Sequence, residues 1–375
     1  MPDTSPTPGT ESWTRREILQ QPDTLRATQA VLRGLQAEIE AFLGPFLAKP
    51  DLRIMLCGAG TSAFIGECLA PWLTATLGRP VEAVATTDIV GSPALYLDAA
   101  RPTLMISFGR SGNSPESLAA VDLADARIAS IHHLVITCNG EGALARRGSA
   151  NSHVVVLPEA THDRAFAMTS SFSAMMLAAL SILTGIGGMD ARVDGIANAI
   201  TTLLPRADTA AATLAARDFE RVVYLGSGVF QGLAREAALK LLELTDGAIP
   251  TTFDSSLGFR HGPKTIVTAR TLVMVFVSAD PLTRLYDLDI IEELRADGRC
   301  GAVLAISARN EGGETIMVDD ATGLDDAGLL FPYIVPAQLF GLHCSLHLGR
   351  TPDRPNASGT VNRVVQGVRI HTTAA

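Results

Sequence analysis

Short apolar runs recur along this chain, each followed by a longer stretch with helical spacing of its apolar positions. The first set lies at 54–57, 81–85, 103–107, 133–137 and 154–157, the second at 222–225, 271–277, 302–307 and 315–318. Runs that are apolar throughout, rather than alternating, belong to strands buried on both faces. Their alternation with helices predicts an α/β fold, a parallel sheet covered on both sides and built twice. Ahead of the first run, Thr14-Arg-Arg-Glu17 has the form of a capping box and predicts a helix start. Pro22-Asp23-Thr24 punctuates it, and Leu32, Leu35, Ile39 and Phe42 mark a longer amphipathic helix. A mostly apolar helix is expected over 167–183, a polar-faced connecting helix over 191–218, and a last helix over 336–348. The expected organisation is a tail (1–12) and helices within 1–50, a first unit over 51–200, and a second unit with its tail over 215–375.

The two units are copies. Arg53-Ile-Met-Leu-Cys-Gly-Ala-Gly-Thr-Ser62 is echoed by Arg221-Val-Val-Tyr-Leu-Gly-Ser-Gly-Val-Phe230, Gly58 against Gly226, an offset of 168 residues. Thr103-Leu104 and Thr271-Leu272 keep that offset. Duplication on this scale implies two similar α/β units, each able to bury its own sheet. Only the first copy carries Ser107-Phe-Gly-Arg-Ser-Gly-Asn-Ser-Pro-Glu-Ser117; the second has Val275-Phe-Val-Ser-Ala-Asp-Pro281 there. That asymmetry marks the ligand loop.

Composition narrows the function. The 375 residues are 47% hydrophobic and 18% charged, with a formal charge of −9 and no basic stripe, which argues against a nucleic-acid surface. A small phosphorylated ligand remains compatible, because helix N-termini and hydroxyls hold phosphate without net positive charge. Five cysteines without a C-x-x-C pair, no leader-like start and no apolar stretch of spanning length around 175–186 give the expectation of a cytoplasmic protein with no membrane partner. Gly58-Ala-Gly60 lacks the third glycine of a dinucleotide fingerprint, Ala63 standing in its place. His343 and His347 have the spacing of two metal ligands but no third partner. No metal and no other cofactor is expected.

Three segments could carry chemistry. The serines at 107, 111, 114 and 117 surround Gly109 and Gly112 directly ahead of Pro115, at a helix start that leaves N–H donors open; an N-capped loop without a ligand is the plainer alternative. In Arg235-Glu-Ala-Ala-Leu-Lys240-Leu-Leu-Glu243, Lys240 and Glu243 share a helix face, while Glu236 and Lys240 have the spacing of an ordinary surface ion pair. His261 sits in Gly258-Phe-Arg-His-Gly-Pro-Lys264, a loop boxed by Gly and Pro. By itself such a histidine is as well explained by solvent exposure.

In this order the pieces resemble the sugar isomerase (SIS) family, whose paired domains bind phosphosugars. The matches are Gly60-Thr61-Ser62, Gly109-Arg-Ser111-Gly-Asn-Ser114, Ala237-Ala-Leu-Lys240-Leu-Leu-Glu243 and Leu257-Gly-Phe-Arg-His261-Gly-Pro263. Ser256 to Lys264 and Gly359-Thr-Val-Asn-Arg-Val-Val-Gln-Gly-Val368 look typical of the tagatose-6-phosphate ketose/aldose isomerase or galactosamine-6-phosphate deaminase branch. The likeness extends, more distantly, to the isomerase domain of glucosamine-6-phosphate synthase. It implies two tandem doubly wound domains with parallel five-stranded sheets behind a helical N-terminal extension. It further implies that Gly60, Thr61, Ser62, Ser111 and Ser114 hold the phosphate, with Ser107, Gly109 and Arg110 shaping the loop. Glu243 is then the base moving a proton between carbons 1 and 2, Lys240 lies near it, and His261, supplied by the neighbouring subunit of a homodimer, opens the sugar ring. Arg363 belongs with the substrate-binding residues in this likeness; it aligns with a lysine of the synthase, which puts any Schiff-base role there in question. No glutaminase segment precedes residue 50, so release of ammonia is the expected direction. A ketose/aldose isomerase without deamination, a glucosamine-6-phosphate deaminase and a non-catalytic sugar-phosphate sensor are the alternatives.

Overall fold

The structure is a computed structural model and describes residues 12–321, 323–365 and 367–371; most of the expected N-terminal tail, residues 1–11, lies outside the described residues. Two helices, α1 (Trp13–Leu19) and α2 (Gln21–Leu47), lead into the first unit. It comprises β1 (Arg53–Gly58), α3 (Thr61–Leu77), β2 (Val81–Ala85), α4 (Thr86–Gly91), α5 (Pro93–Tyr96), β3 (Thr103–Gly109), α6 (Pro115–Arg127), β4 (Ile131–Thr137), α7 (Ala143–Arg146), β5 (Ser152–Val156) and α8 (Ser170–Thr184). α9 (Asp190–Ala215) connects to β6 (Arg221–Gly226), α10 (Val229–Leu244), β7 (Thr251–Asp254), β8 (Thr271–Phe276), α11 (Pro281–Asp297), β9 (Ala302–Ser307), β10 (Glu314–Met317) and α12 (Asp326–His347).

Both sheets are five-stranded and parallel, in the orders β2-β1-β3-β4-β5 and β10-β9-β8-β6-β7. Read from the equivalent edge the two orders are the same, so the sequence duplication is a duplication of topology. In each sheet the winding reverses between the first and third strands, where an open α/β sheet leaves a crevice at its carboxyl edge.

Successive strand residues face opposite sides. Ile54 and Leu56 join a core continuous with Val222 and Tyr224 of the second sheet and with α3, α8, α9, α10 and α12. Met55 and Cys57 turn to a separate outer cluster with Val121 and Ala124, and Val223 and Leu225 to another with Ile290 and Leu294. The units therefore do not each bury their own sheet: one helical layer is buried by both. α3 and α10 cross so closely that a Cβ on Gly232 would come within 2.6 Å of the Cys68 backbone nitrogen. α9 runs unbroken through residue 200, the expected end of the first unit.

Three expected elements differ. The cap of α1 is Ser12, whose Oγ accepts from Arg15 N at 3.2 Å. Thr14 and Glu17 serve long-range contacts instead, Thr14 Oγ1 donating to Asp353 Oδ1 (2.8 Å) and Glu17 accepting from Arg164 N (2.5 Å). The last helix starts at Asp326, capped by Asp325, and carries Pro332 and Pro336 inside it; Pro336 had the look of a helix start. It is long and apolar enough to cross a membrane, yet it is mostly buried within the protein, as a core helix is. β7 lies at a sheet edge, and its Thr-Thr-Phe-Asp sequence gives no apolar run to find it by.

Candidate active site

β1 ends at Gly58, where a Cβ would sit 2.6 Å from that of Ser62, and Gly60 turns the chain into α3 with φ of +55°. The turn thus admits only glycine at 58 and sets Thr61 and Ser62 in the first turn of a helix. β3 ends beside it, and the loop 110–114 leads into α6. That loop is pinned from β4 and the chain beyond it. Thr137 Oγ1 donates to Gly109 O (2.6 Å), Asn139 Nδ2 to Ser111 O (2.9 Å), and Leu144 N to Gly112 O (2.9 Å). Two helix N-termini consequently face one crevice at the reversal point, the geometry that favours an anion.

The crevice encloses a cavity of 240 Å³. Gly60, Thr61 and Ser62 form one wall, Gly109 to Gly112 with Ser114 and Ser117 a second, Phe166 and Met168 a third, and the segment 361–365 a fourth; Glu243 enters from α10. Ser114 occupies the N-cap position of α6 but makes no side-chain cap bond; its hydroxyl donates to Glu116 Oε2 at 2.7 Å. Ser111 Oγ accepts from Asn113 N at 3.3 Å, and Ser107 Oγ, buried, has no partner among the described residues. The plain N-cap alternative therefore does not describe Ser114.

Arg110 is buried and shapes the walls. Its guanidinium donates to the carbonyls of Ala165 (3.1 Å), Phe166 (3.0 Å) and Arg363 (2.8 Å), tying three walls together. The Arg363 guanidinium turns back to the Asp163 carbonyl. Neither residue has its charged group committed to a carboxylate.

The candidate acid–base groups come from the other unit. Lys240 Nζ is fully buried, 2.5 Å from Glu243 Oε2, 3.4 Å from Glu236 Oε1 and 3.0 Å from Thr61 Oγ1. Thr61 in turn donates to Glu236 at 3.3 Å, which joins the two units at the floor of the site. The expected surface ion pair of Glu236 and Lys240 is thus wrong: i,i+4 spacing is the same on a buried face, and both side chains are 0% exposed. Burial pushes the Glu236 carboxyl up to about 8, Lys240 pulling it down and Glu243 pushing it up. Burial also opposes the charge of Lys240, but the neighbouring Glu236 and Glu243 outweigh it and hold the ammonium above the ordinary lysine range. Glu243 at 2.5 Å is its nearer partner, and burial favours the protonated form of Glu236.

This has a measurable consequence. Folded Glu236 retains, up to about 8, a proton that the unfolded chain releases near 4.5, so the wild type loses stability as pH rises through that window. Glu236→Gln lacks this titration. Its melting temperature relative to wild type is expected to climb from pH 5 to pH 8; a difference flat with pH would mean that Glu236 is ionised in the native state.

His261 stands apart from this group. It is exposed, between single 3₁₀ turns at Gly258–Arg260 and Pro263–Ile266, and does not line the cavity of its own chain. Its loop is held to α11 by Arg260 and Glu293 (2.6 Å) and by Lys264 and Asp297 (2.5 Å). The structure therefore gathers Gly60, Thr61, Ser62, Gly109, Arg110, Ser111, Ser114, Lys240, Glu243 and Arg363, and leaves His261 outside. Phe166 and Met168 had no sequence signal. His343 and His347 each bond a different aspartate, Asp208 and Asp218, both at 2.8 Å, and no cluster of metal-ligating side chains occurs among the described residues.

Residues 46–184 match the SIS domain. The chain is 47% identical over 371 residues to the D-galactosamine-6-phosphate deaminase AgaS of Escherichia coli, covering 96% of each protein. It is 45% identical over 365 residues to the same-named protein of Shewanella sp. (strain ANA-3), covering 96% of this chain and 92% of that one. The crystal structure of tagatose-6-phosphate ketose/aldose isomerase from Escherichia coli superposes with a TM-score of 0.88 at 42% identity, over 99% of this chain and 100% of that one. Similarity at this level along nearly the whole length, on a doubled sheet with a serine cradle at one reversal point, shows that the chain belongs to the SIS family, in the branch that holds the AgaS deaminases.

Proposed function

We propose that this enzyme converts galactosamine 6-phosphate and water to tagatose 6-phosphate and ammonia. The observation that carries the reading is the placement of the Glu243 carboxylate at a cavity whose other walls are the serine loop and two helix N-termini. The phosphate occupies the cradle of Ser62, Ser111 and Ser114, which fixes the sugar by its unreactive end and supplies orientation. With the ring open, Glu243 takes the proton from carbon 2, acidified by the adjacent carbonyl, and returns it to carbon 1. The aldehyde with its 2-ammonium group thereby becomes a 2-iminium ketose, the carbonyl oxygen taking up the proton that the nitrogen gives up. Water adds to that carbon and ammonia leaves. Lys240 holds Glu243 in place and keeps positive charge beside the developing oxyanion.

Ring opening needs a proton donor and acceptor at the ring oxygen, and His261 is the candidate. Its exposed position, in a loop that also exposes the apolar side chain of Leu257, supports delivery into the cavity of a second chain across a two-fold interface. The active unit is then a homodimer with shared sites, working in the cytoplasm on a small phosphosugar.

Ammonia release measured side by side with galactosamine 6-phosphate and glucosamine 6-phosphate tests the reading. Faster release from the galacto compound is expected. Release only from the gluco compound would reassign the substrate, and interconversion of hexose phosphates without ammonia would leave an isomerase.

Ser111→Ala and Ser114→Ala should each weaken substrate binding more than they slow turnover. A hydroxyl donated to a phosphate is worth roughly 1.5–3 kcal/mol, or about 10- to 150-fold in affinity. Inorganic phosphate should compete in the wild type. Unchanged KM in both variants would remove these serines from the phosphate site.

A further inference from the structure

A larger cleft of 680 Å³ lies behind the segment 361–365, lined by Trp13, Arg16, Glu17, Gln20, Glu159, Ala160, His162, Arg164 and Arg363. Its charge is unusual for this acidic chain. Many arginines elsewhere pair with carboxylates, as Arg15 does with Asp208 and Arg53 with Glu82. Arg16 and Arg164 have no such partner among the described residues, and both guanidiniums sit against the Trp13 ring, at 5.2 and 4.5 Å from its centroid. Glu17 does not neutralise them: its carboxylate oxygens accept from the backbone nitrogens of Arg164 and Ala165. Two polar atoms of the lining, His162 Nε2 and Arg363 Nε, are buried without any hydrogen-bond partner.

We propose that this cleft is a second binding site, for the phosphate group of a phosphorylated sugar or polyol. The exposed guanidiniums of Arg16 and Arg164 present donors that suit a dianionic phosphate, and Arg363 adds a third positive charge to the lining. Gln20 and Glu159 offer acceptors to hydroxyls on the rest of the ligand. Arg363 links this site to the catalytic cavity. It lines both, its carbonyl receives the Arg110 guanidinium at 2.8 Å, and its neighbours from Val361 to Val365 form a wall of the catalytic cavity. An occupant bound beside its side chain would order that segment.

Sorbitol 6-phosphate, which has no carbonyl to react, and inorganic phosphate serve as probes. In a full-length Ser111→Ala/Ser114→Ala chain, whose catalytic cradle is weakened, calorimetry should still find one site per chain for sorbitol 6-phosphate. Binding should slow amide exchange over 361–365. Adding Arg16→Ala/Arg164→Ala to that chain should weaken the remaining site at least tenfold and abolish the protection. In the otherwise wild-type protein the same arginine pair should leave kcat unchanged, which also reports that the variant folds. Inorganic phosphate should compete for the remaining site if the phosphate group carries recognition. The proposal is overturned by absence of binding in the serine variant, by binding indifferent to the arginine pair, or by a fall in kcat that assigns the arginines to the catalytic cavity.

Discussion

Glu243→Gln is expected to reduce turnover at least about a hundredfold, roughly 2.7 kcal/mol of transition-state stabilisation, while phosphosugar affinity stays close to wild type. Gln keeps the volume and can still accept from the Lys240 ammonium, which lies 2.5 Å from the native carboxylate. It lacks the basic oxygen that receives the carbon-bound proton. Because the phosphate cradle belongs to the other unit, binding should survive the loss of the base. Steady-state ammonia release gives the first quantity and calorimetry with substrate gives the second. Wild-type turnover in this variant would make Glu243 structural and sink the mechanism.

The second large effect concerns His261. His261→Ala alone should be inactive, and so should the double variant Ser111→Ala/Glu243→Gln. If the histidine serves the partner's cavity, a dimer formed from one chain of each kind has one site free of both lesions. Random two-fold pairing makes half the dimers mixed, so activity should return to about a quarter of wild type. If the histidine serves its own chain, every site carries a lesion and nothing returns. Mass measurement of the mixed dimers establishes that subunits have exchanged, and absence of recovery in such a sample would refute the shared site.

Most of the fold was legible because its strands are buried on both faces and so appear as unbroken apolar runs; Ile54 to Cys57 and Val222 to Leu225 are fully buried. β7 was not, since an edge strand of Thr, Thr, Phe and Asp needs no such run. Pro336 concealed the true start of α12 because proline also marks first turns. The serine loop that lines the cavity was legible from the difference between copies. The buried state of Glu236 was not, because helical spacing reports which residues share a face and says nothing of what packs against it. Phe166 and Met168 reach the cavity through long-range folding of a loop, and His261 carries a motif but no local sign of whose cavity it meets.

At the second reversal point, Phe230 stands where the first unit has Ser62; it is fully buried, with its ring 5.1 Å from that of Tyr333. The second unit thus fills its counterpart of the serine loop with packing, while its helix α10 reaches the cavity of the first unit. On the proposed roles, phosphate affinity and proton transfer fall to different halves of one chain, so that substitutions in one half would alter how tightly the phosphate is held and substitutions in the other how fast protons move.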